Sequence, residues 1–149
     1  MNITLEAIKS EQSKIAAMIA AFEQQPSYPI TIPFPTLNQG EKFIGAIISA
    51  DGSKRHALIL LPGEKTDIKW DQAMDWAKSI GGELPDRCES ALLFATMKDE
   101  FKPEWYWTRE QHAADSGFAW VQVFDLGGQD SNRKSFDGRA RAVRRLEIQ

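Results

Sequence analysis

Apolar side chains recur at alternating spacings of three and four residues near the start of the chain. The positions are Leu5, Ile8, Gln12, Ile15, Ile19 and Phe22. This is the a/d spacing of a coiled coil, with Gln12 as its polar member. With Thr4 as N-cap, the pattern predicts an amphipathic helix over residues 4–24. Two partners for its apolar face stay open: a second copy of the chain, giving a homo-oligomer, or the chain's own domain.

Prolines separate this helix from the rest of the sequence. Residues 26–40 contain four of the seven prolines in the chain. Because proline lacks an amide donor and fixes φ, this segment is predicted to be a stiff connector rather than a central strand. The sequence therefore divides into a helix at 1–25, a connector at 26–40 and a domain at 41–149.

Within the domain, strand patterns and helix patterns follow one another. Two apolar runs, 42–50 and 55–61, flank the turn signal Asp51-Gly52 and predict a β-hairpin. Helical patterns follow at 70–80 and after Asp86, which forms a capping box with Glu89. Short strands are predicted at 105–107, 118–125, 132–136 and 139–147. This order predicts an α+β fold.

Composition narrows the function classes. The chain has 149 residues, 42% of them hydrophobic, which suits one domain with a packed core. A net charge of −3 and a pI near 5.4 argue against a nucleic-acid partner. Apolar runs fall short of the roughly 18 residues that span a membrane, and the first residues lack the features of a secretion signal. We expect a protein made in the cytoplasm, with no nucleic-acid or membrane partner.

The six basic residues within 118–149 raise the question of an anion site. They follow a segment, 64–117, that carries twelve acidic and seven basic residues. A basic cluster can bind phosphate or an acidic partner. We predict instead that the tail faces solvent or pairs with the acidic middle segment.

Residues that would carry enzymatic chemistry are sparse. Cys88 is the single cysteine, which excludes an intrachain disulfide framework and a Cys₄ zinc site. A nucleophile pair of Cys88 with His56 or His112 is conceivable, but nothing in the spacing brings them together. His112 and Asp115 form a minimal acid–base pair with no nucleophile beyond Ser116. We predict no catalytic residue, no metal and no cofactor, and an enzyme using Cys88 or His112 is the weakest alternative.

An ordered set of short segments runs through residues 41–149. The segments are Trp70-x-x-Ala73, Gly81-Gly82-Glu83-Leu84-Pro85, Ala91-Leu92-Leu93, Tyr106-Trp107-Thr108, Ala119-Trp120 with Phe124, and Ala142-Val143-Arg144-Arg145. In order and spacing they resemble a C-type-lectin-like family. The family includes the C-terminal domain of collagen-like bacterial adhesins and many phage, prophage and bacterial proteins of unassigned function. The resemblance implies two helices packed on short twisted antiparallel sheets, with Trp70, Trp107 and Trp120 in the framework. Trp76 and Trp105 remain candidate surface anchors.

The resemblance also implies a function. Calcium-dependent lectins of this family carry Glu-Pro-Asn and Trp-Asn-Asp tripeptides, which are absent here, so no calcium site is expected. Its formylglycine-generating enzymes use a cysteine pair, which a single cysteine cannot supply. The implied function is a non-enzymatic module that recognises a receptor or host protein rather than a glycan. A phage or prophage source, with association with the virion, is implied as well. The alternative is a structural or assembly component of a phage particle or larger complex.

The predicted ligand surface lies around the strand that starts at residue 118. If Trp120 and its alternate neighbours face inward, as the resemblance implies, Val121 and Val123 face outward and form an apolar patch. A polar rim around such a patch is typical of a protein-binding surface; the alternative is that the connector or a second subunit covers the valines. The candidate ligand-binding residues are Val121, Val123, Asp125, Gln129, Asp130, Asn132, Arg133, Arg109 and His112.

Overall fold

A computed structural model describes residues 2–25 and 34–148. The chain divides into two compact units, one ending at residue 33 and one beginning at residue 34. Most of the predicted proline connector, residues 26–33, lies outside the described residues. No helix within the two described ranges is long and apolar enough to span a membrane.

The described residues of the N-terminal unit contain one helix, α1 (Leu5–Glu23). Its start is as predicted: the Thr4 Oγ1 accepts a hydrogen bond from the Ala7 amide at 3.1 Å. None of the residues of α1 is buried, and the apolar side chains are well exposed, from 51% for Ile15 to 73% for Phe22. The predicted apolar face is therefore open on this helix.

The C-terminal unit is a mixed α+β fold, as the element order predicts. In chain order it contains β1 (Lys42–Ile48), β2 (Arg55–Leu60), β3 (Lys65–Ile68), α2 (Trp70–Ser79), α3 (Arg87–Met97), a 3₁₀ turn (Lys98–Glu100), β4 (Trp105–Gln111), β5 (Phe118–Val123), β6 (Gln129–Arg133), β7 (Gly138–Ala140) and β8 (Val143–Glu147). The strands form a three-stranded sheet, β1-β2-β8, and a five-stranded sheet, β3-β7-β4-β5-β6. Neighbours are antiparallel except β4 and β7, which pair in parallel.

The C-terminal unit contains two core clusters, and both include side chains of the five-stranded sheet. One cluster contains residues of α2, and the other contains a residue of α3. Because side chains alternate along a strand, Trp107 and Tyr106 point to opposite faces of β4. Trp107 packs in the cluster that contains Ala73 of α2. Tyr106 packs in the cluster that contains Leu93 of α3 and Leu58 of β2. The second cluster therefore joins the two sheets through α3.

The end of the chain differs from its prediction. The single strand expected at 139–147 is two strands, because the chain leaves the five-stranded sheet after β7 and joins β2 as β8. The strand expected at 132–136 lies earlier, at 129–133, and β3 was not predicted. The sequences of β3 and β6, KTDI and QDSNR, are polar and show no apolar alternation, so pairing with neighbours defines them.

Four of the five tryptophans are half-buried, whatever role the sequence predicts for them. Trp107 is fully buried, as predicted, and Trp70 and Trp120 are half-buried. Trp76 and Trp105 are half-buried too and pack against the core cluster on the α2 side. These two candidate surface anchors are therefore packed partly against the core, and part of each side chain stays exposed.

Candidate functional site

Val121 does not face solvent, contrary to the prediction from side-chain alternation along β5. This side chain is only 1% exposed and belongs to the core cluster that contains α2 residues. Gln122 and Phe124 are buried as well, as expected, and Val123 is half-buried. Both faces of β5 are covered, so the alternation of side chains does not separate an inner face from an outer one. The prediction of an exposed apolar patch centred on Val121 is wrong.

The polar residues predicted around that patch fall on two faces of the sheet. Asp130 is paired with Val121 across β5 and β6, whereas Gln129 is paired with Gln122. Since paired residues point to the same face, Asp130 and Gln129 point to opposite faces. By the same alternation along β6, Asn132 points to the face of Asp130, and Arg133 points to the face of Gln129. These predicted residues therefore do not form one surface.

Two further predicted residues, one in a turn and one on β4, lie outside β5 and β6. Asp125 is exposed in the turn after β5. Arg109 is exposed and forms an ion pair with Glu83 at 3.2 Å. The side chain of Arg109 is thus engaged with Glu83, while its backbone amide donates to the Pro85 carbonyl at 2.9 Å.

The structure brings a different set of residues together at the start of α3. The Arg87 guanidinium carbon lies 3.6 Å from the centroid of the Trp120 ring. The His112 ring stacks on Trp120 with centroids 5.3 Å apart and an angle of 24° between the planes. Gln129 contacts Arg87 from β6. We call Arg87, His112, Trp120 and Gln129 the Trp120 surface.

Side-chain amides hold the Trp120 surface in place. Arg87 Nε donates to Gln129 Oε1 at 2.9 Å, and Gln129 Nε2 donates to the Arg87 carbonyl at 2.7 Å. Gln129 Nε2 also donates to Gln122 Oε1 at 2.9 Å, and the buried Gln122 amide donates to the Gly127 carbonyl at 3.0 Å. The Arg87 amide is bonded to Glu110 at 2.9 Å. These connected hydrogen bonds fix the side chains before any ligand arrives.

An open cavity of about 510 Å³ adjoins the Trp120 surface. Arg87 and Gln129 line it together with the exposed Cys88, Glu110 and Gly127. Its volume is in the range of small-ligand pockets. The exposed Cys88 thiol can therefore be labelled chemically beside the candidate site.

A larger cavity of about 800 Å³ lies at the start of α2. Its charged lining residues are Lys69, Asp71, Asp115, Arg133 and Lys134. Lys134 is already engaged, because its ammonium donates to Gln111 at 2.6 Å and lies 4.1 Å from the centroid of the Trp70 ring. With acids and bases intermixed, this cavity does not present a concentrated positive field to an anion.

Three of the six basic residues in the tail pair with acids. Its contacts with acids are Arg139 with Glu64 and Glu104, Arg144 with Glu41, and Arg145 with Glu83 and Glu89. The predicted pairing with the acidic middle segment is thus confirmed for Arg139 and Arg145. These arginines fix strands to loops rather than forming a free basic patch.

The buried carboxylate Glu89 anchors the start of α3. It accepts hydrogen bonds from the Asp86 amide at 2.8 Å and from Arg145 Nε at 2.6 Å, and it lies 3.1 Å from His56 Nε2. Burial raises the pKa of the Glu89 carboxyl, but its hydrogen bonds with Arg145, the Asp86 amide and His56 outweigh burial and lower this pKa. Glu89 is therefore ionised. Its ion pair with Arg145 links the start of α3, which carries Arg87, to β8.

The residues considered for catalysis are held by other partners. His56 is engaged with Glu89, and His112 Nδ1 accepts a hydrogen bond from the Ala114 amide at 3.1 Å. Asp115 accepts from the Gly117 amide at 2.9 Å. Within residues 2–25 and 34–148, no group of three or more His, Cys, Asp or Glu side chains is placed to hold a metal ion.

Sequence reasoning found two members of the Trp120 surface, His112 and Gln129, and missed the other two. The sequence pattern assigns Trp120 to the framework and does not single out Arg87. A scan against protein-family models and a search of curated proteins each found no match for this chain.

Proposed function

We propose that residues 41–149 form a C-type-lectin-like binding domain whose Trp120 surface recognises a protein ligand without catalysing a reaction. Two features support the fold: two helices pack on short sheets, and β8 returns to lie beside the β1–β2 hairpin. The first agrees with what the sequence segments imply. The receptor or host-protein role follows from the same resemblance.

The observation that carries the binding proposal is the Arg87–Trp120 contact. Tryptophan and arginine contribute most to the energy of protein interfaces, since they combine a large contact area with hydrogen-bonding groups. Here Trp120 is half-buried and Arg87 is fixed through Gln129. A side chain that is already ordered loses less conformational entropy on binding.

The chemistry of the surface favours a protein over a sugar. Arg87 occupies a face of the Trp120 ring, so that face is closed to a stacking sugar ring. The rim offers amide, imidazole and carboxylate groups from Gln129, His112 and Glu110, which suit the polar rim of a protein interface.

Capture from a host-cell lysate tests the proposal. The immobilised full chain is compared with Arg87→Ala, Trp120→Ala and the control Lys78→Ala, an exposed position at the end of α2. We expect a protein that wild type and Lys78→Ala retain equally and that each of the other variants retains at least about tenfold less, since removal of an interface tryptophan or arginine costs this much affinity.

Cys88 supplies a second test that leaves the fold unchanged. As the only cysteine and a residue of the cavity wall, it can be labelled with a bulky maleimide. The label should block capture, whereas Cys88→Ser should bind normally. Capture that survives Arg87→Ala and the label contradicts the assignment of this surface. A glycan-array signal lost in Arg87→Ala contradicts a protein ligand, and loss of function in Cys88→Ser supports an enzyme instead.

A further inference from the structure

The apolar face of α1 lacks any buried residue. Five of its six a and d positions are apolar, and each of these side chains is at least 51% exposed. Within α1 the Lys14–Glu11 ion pair is exposed at 3.1 Å, so it contributes little to helix stability. Since helices in proteins are stabilised mainly by the packing of an amphipathic face, the stability of α1 depends on a partner for that face.

Gln12 distinguishes among possible partners. In a parallel, in-register bundle each Gln12 lies in one layer with the Gln12 of the other copies, where amides can bond to one another. In an antiparallel pair that aligns a with d, Gln12 faces Ile15 and loses its partner. The same loss follows if α1 docks on an apolar surface of another kind.

The d positions indicate how many copies assemble. Ile8 and Ile15 place β-branched side chains at d, a choice that disfavours two strands and favours three or four. In a three-stranded bundle the five exposed apolar side chains of each copy would be removed from water together, which favours assembly.

The charges of α1 do not suit a lipid surface. The helix carries Glu6, Glu11 and Glu23 against Lys9 and Lys14. Amphipathic helices that lie on anionic membranes have a polar face rich in Lys and Arg. A second copy of this chain therefore fits the apolar face better than a membrane.

We propose that α1 assembles this chain into a parallel, in-register homo-oligomer of three or four copies, with Gln12 as a polar layer that sets the register. This assembly depends on α1 alone, so it is independent of the ligand proposed for the Trp120 surface. Assembly would present several copies of that surface to one target and raise the avidity for a target with repeated sites.

Light scattering of the full chain at micromolar concentration tests the assembly. We expect three or four times the chain mass of 16.8 kDa. Ile15→Glu, at a d position, should reduce the mass to that of one chain, whereas Ala17→Glu, on the outer face of α1, should keep the oligomer. Since all five tryptophans lie beyond residue 34, their fluorescence reports the fold of the C-terminal unit in each variant. A mass of one or two chains for wild type, or an oligomer that survives Ile15→Glu, overturns the proposal.

Disulfide trapping tests the orientation of the helices. In a Cys88→Ser background, Leu5→Cys should form disulfide-linked chains on mild oxidation, because parallel helices place position 5 beside itself. In an antiparallel pair, position 5 would lie beside position 22. Crosslinks that form only when Leu5→Cys is mixed with Phe22→Cys therefore overturn the parallel arrangement.

Discussion

Gly127 allows the turn after β5 to lie against α3. Its φ is +88°, a conformation that side chains other than glycine rarely adopt. A Cβ at this position would lie 2.5 Å from Phe94 Cε1. The same turn supplies the Gly127 carbonyl that accepts from Gln122, so one glycine links the packing of the turn to the Trp120 surface.

Gly127→Ala should lower the free energy of unfolding by about 1–3 kcal/mol, since it combines backbone strain with overpacking against Phe94. Gly128→Ala is the matched control, because a Cβ there would meet nothing within 4 Å. Its effect should stay within about 0.5 kcal/mol. Urea denaturation measures both, and equal effects of the two variants would contradict this role of Gly127.

Tyr106 should titrate late. Burial, together with the hydrogen bond that its hydroxyl donates to Glu64 at 2.6 Å, raises the pKa of Tyr106 to about 12. In a Tyr28→Phe background, which leaves one tyrosine, ultraviolet absorbance should show ionisation near that pH. Because the folded-state pKa is raised, this contribution to stability is full below the unfolded-state value near 10 and is lost as pH rises through 12. Ionisation near pH 10 in the folded chain would refute this.

At the scale of elements, α3 is positioned by its first turn. Asp86 and Glu89 form the capping box, and Arg145 of β8 bonds to Glu89. Arg87 follows the cap directly, so the interaction that starts the helix also sets the position of the guanidinium on Trp120. Local capping and the long-range ion pair thus act on one site.

Glu89→Gln should lower the free energy of unfolding at neutral pH by about 3 kcal/mol, the cost of removing one partner of a buried ion pair. Because the pKa of Glu89 is lowered in the fold, its contribution is present above the unfolded-state value of 4.5 and is lost as pH falls through the folded-state value. The variant should therefore lose less stability than wild type on acidification below 4.5.

Glu83→Gln provides the control for Glu89, since both carboxylates contact Arg145. The side chain of Glu83 is 47% exposed, against 0% for Glu89. An exposed pair contributes less than about 1 kcal/mol. Denaturation curves across acidic and neutral pH compare the two variants, and an identical pH dependence of wild type and Glu89→Gln would exclude the assigned role.

At the scale of the molecule, the α3-side cluster ties the C-terminal unit together. Leu58 of β2 is fully buried in the same cluster as Leu93 of α3 and Phe124, which follows β5. The two sheets share no strand, yet they share this core. We therefore expect the sheets to unfold in one cooperative transition.

Leu58→Ala should cost about 2–5 kcal/mol, as for other buried leucines. It should shift the transitions seen by tryptophan fluorescence and by far-ultraviolet circular dichroism together. Leu126→Ala is the control, because Leu126 is 88% exposed and should change the stability by less than about 0.5 kcal/mol. Separate shifts of the two signals in Leu58→Ala would indicate that the sheets unfold independently.

Elements whose signals are local were predictable from the sequence. The a/d spacing and Thr4 cap predicted α1, the Asp51-Gly52 turn predicted the hairpin, and the capping box predicted the start of α3. Each depends on residues a few positions apart, so propensity and periodicity suffice. His112 and Gln129 could be selected from sequence because polar loop and turn residues are reasonable ligand candidates.

Which faces are covered and which distant residues meet depends on how the elements pack together. Val121 is buried because core packing covers both faces of the five-stranded sheet, which periodicity along one strand cannot reveal. The Trp120 surface unites Arg87 with Trp120 and Gln129, which lie more than thirty positions later, and only the packing of α3 beside β5 and β6 creates that contact. The physical reason is that a local pattern records which side chains share an element, whereas the packing of elements determines what those side chains touch.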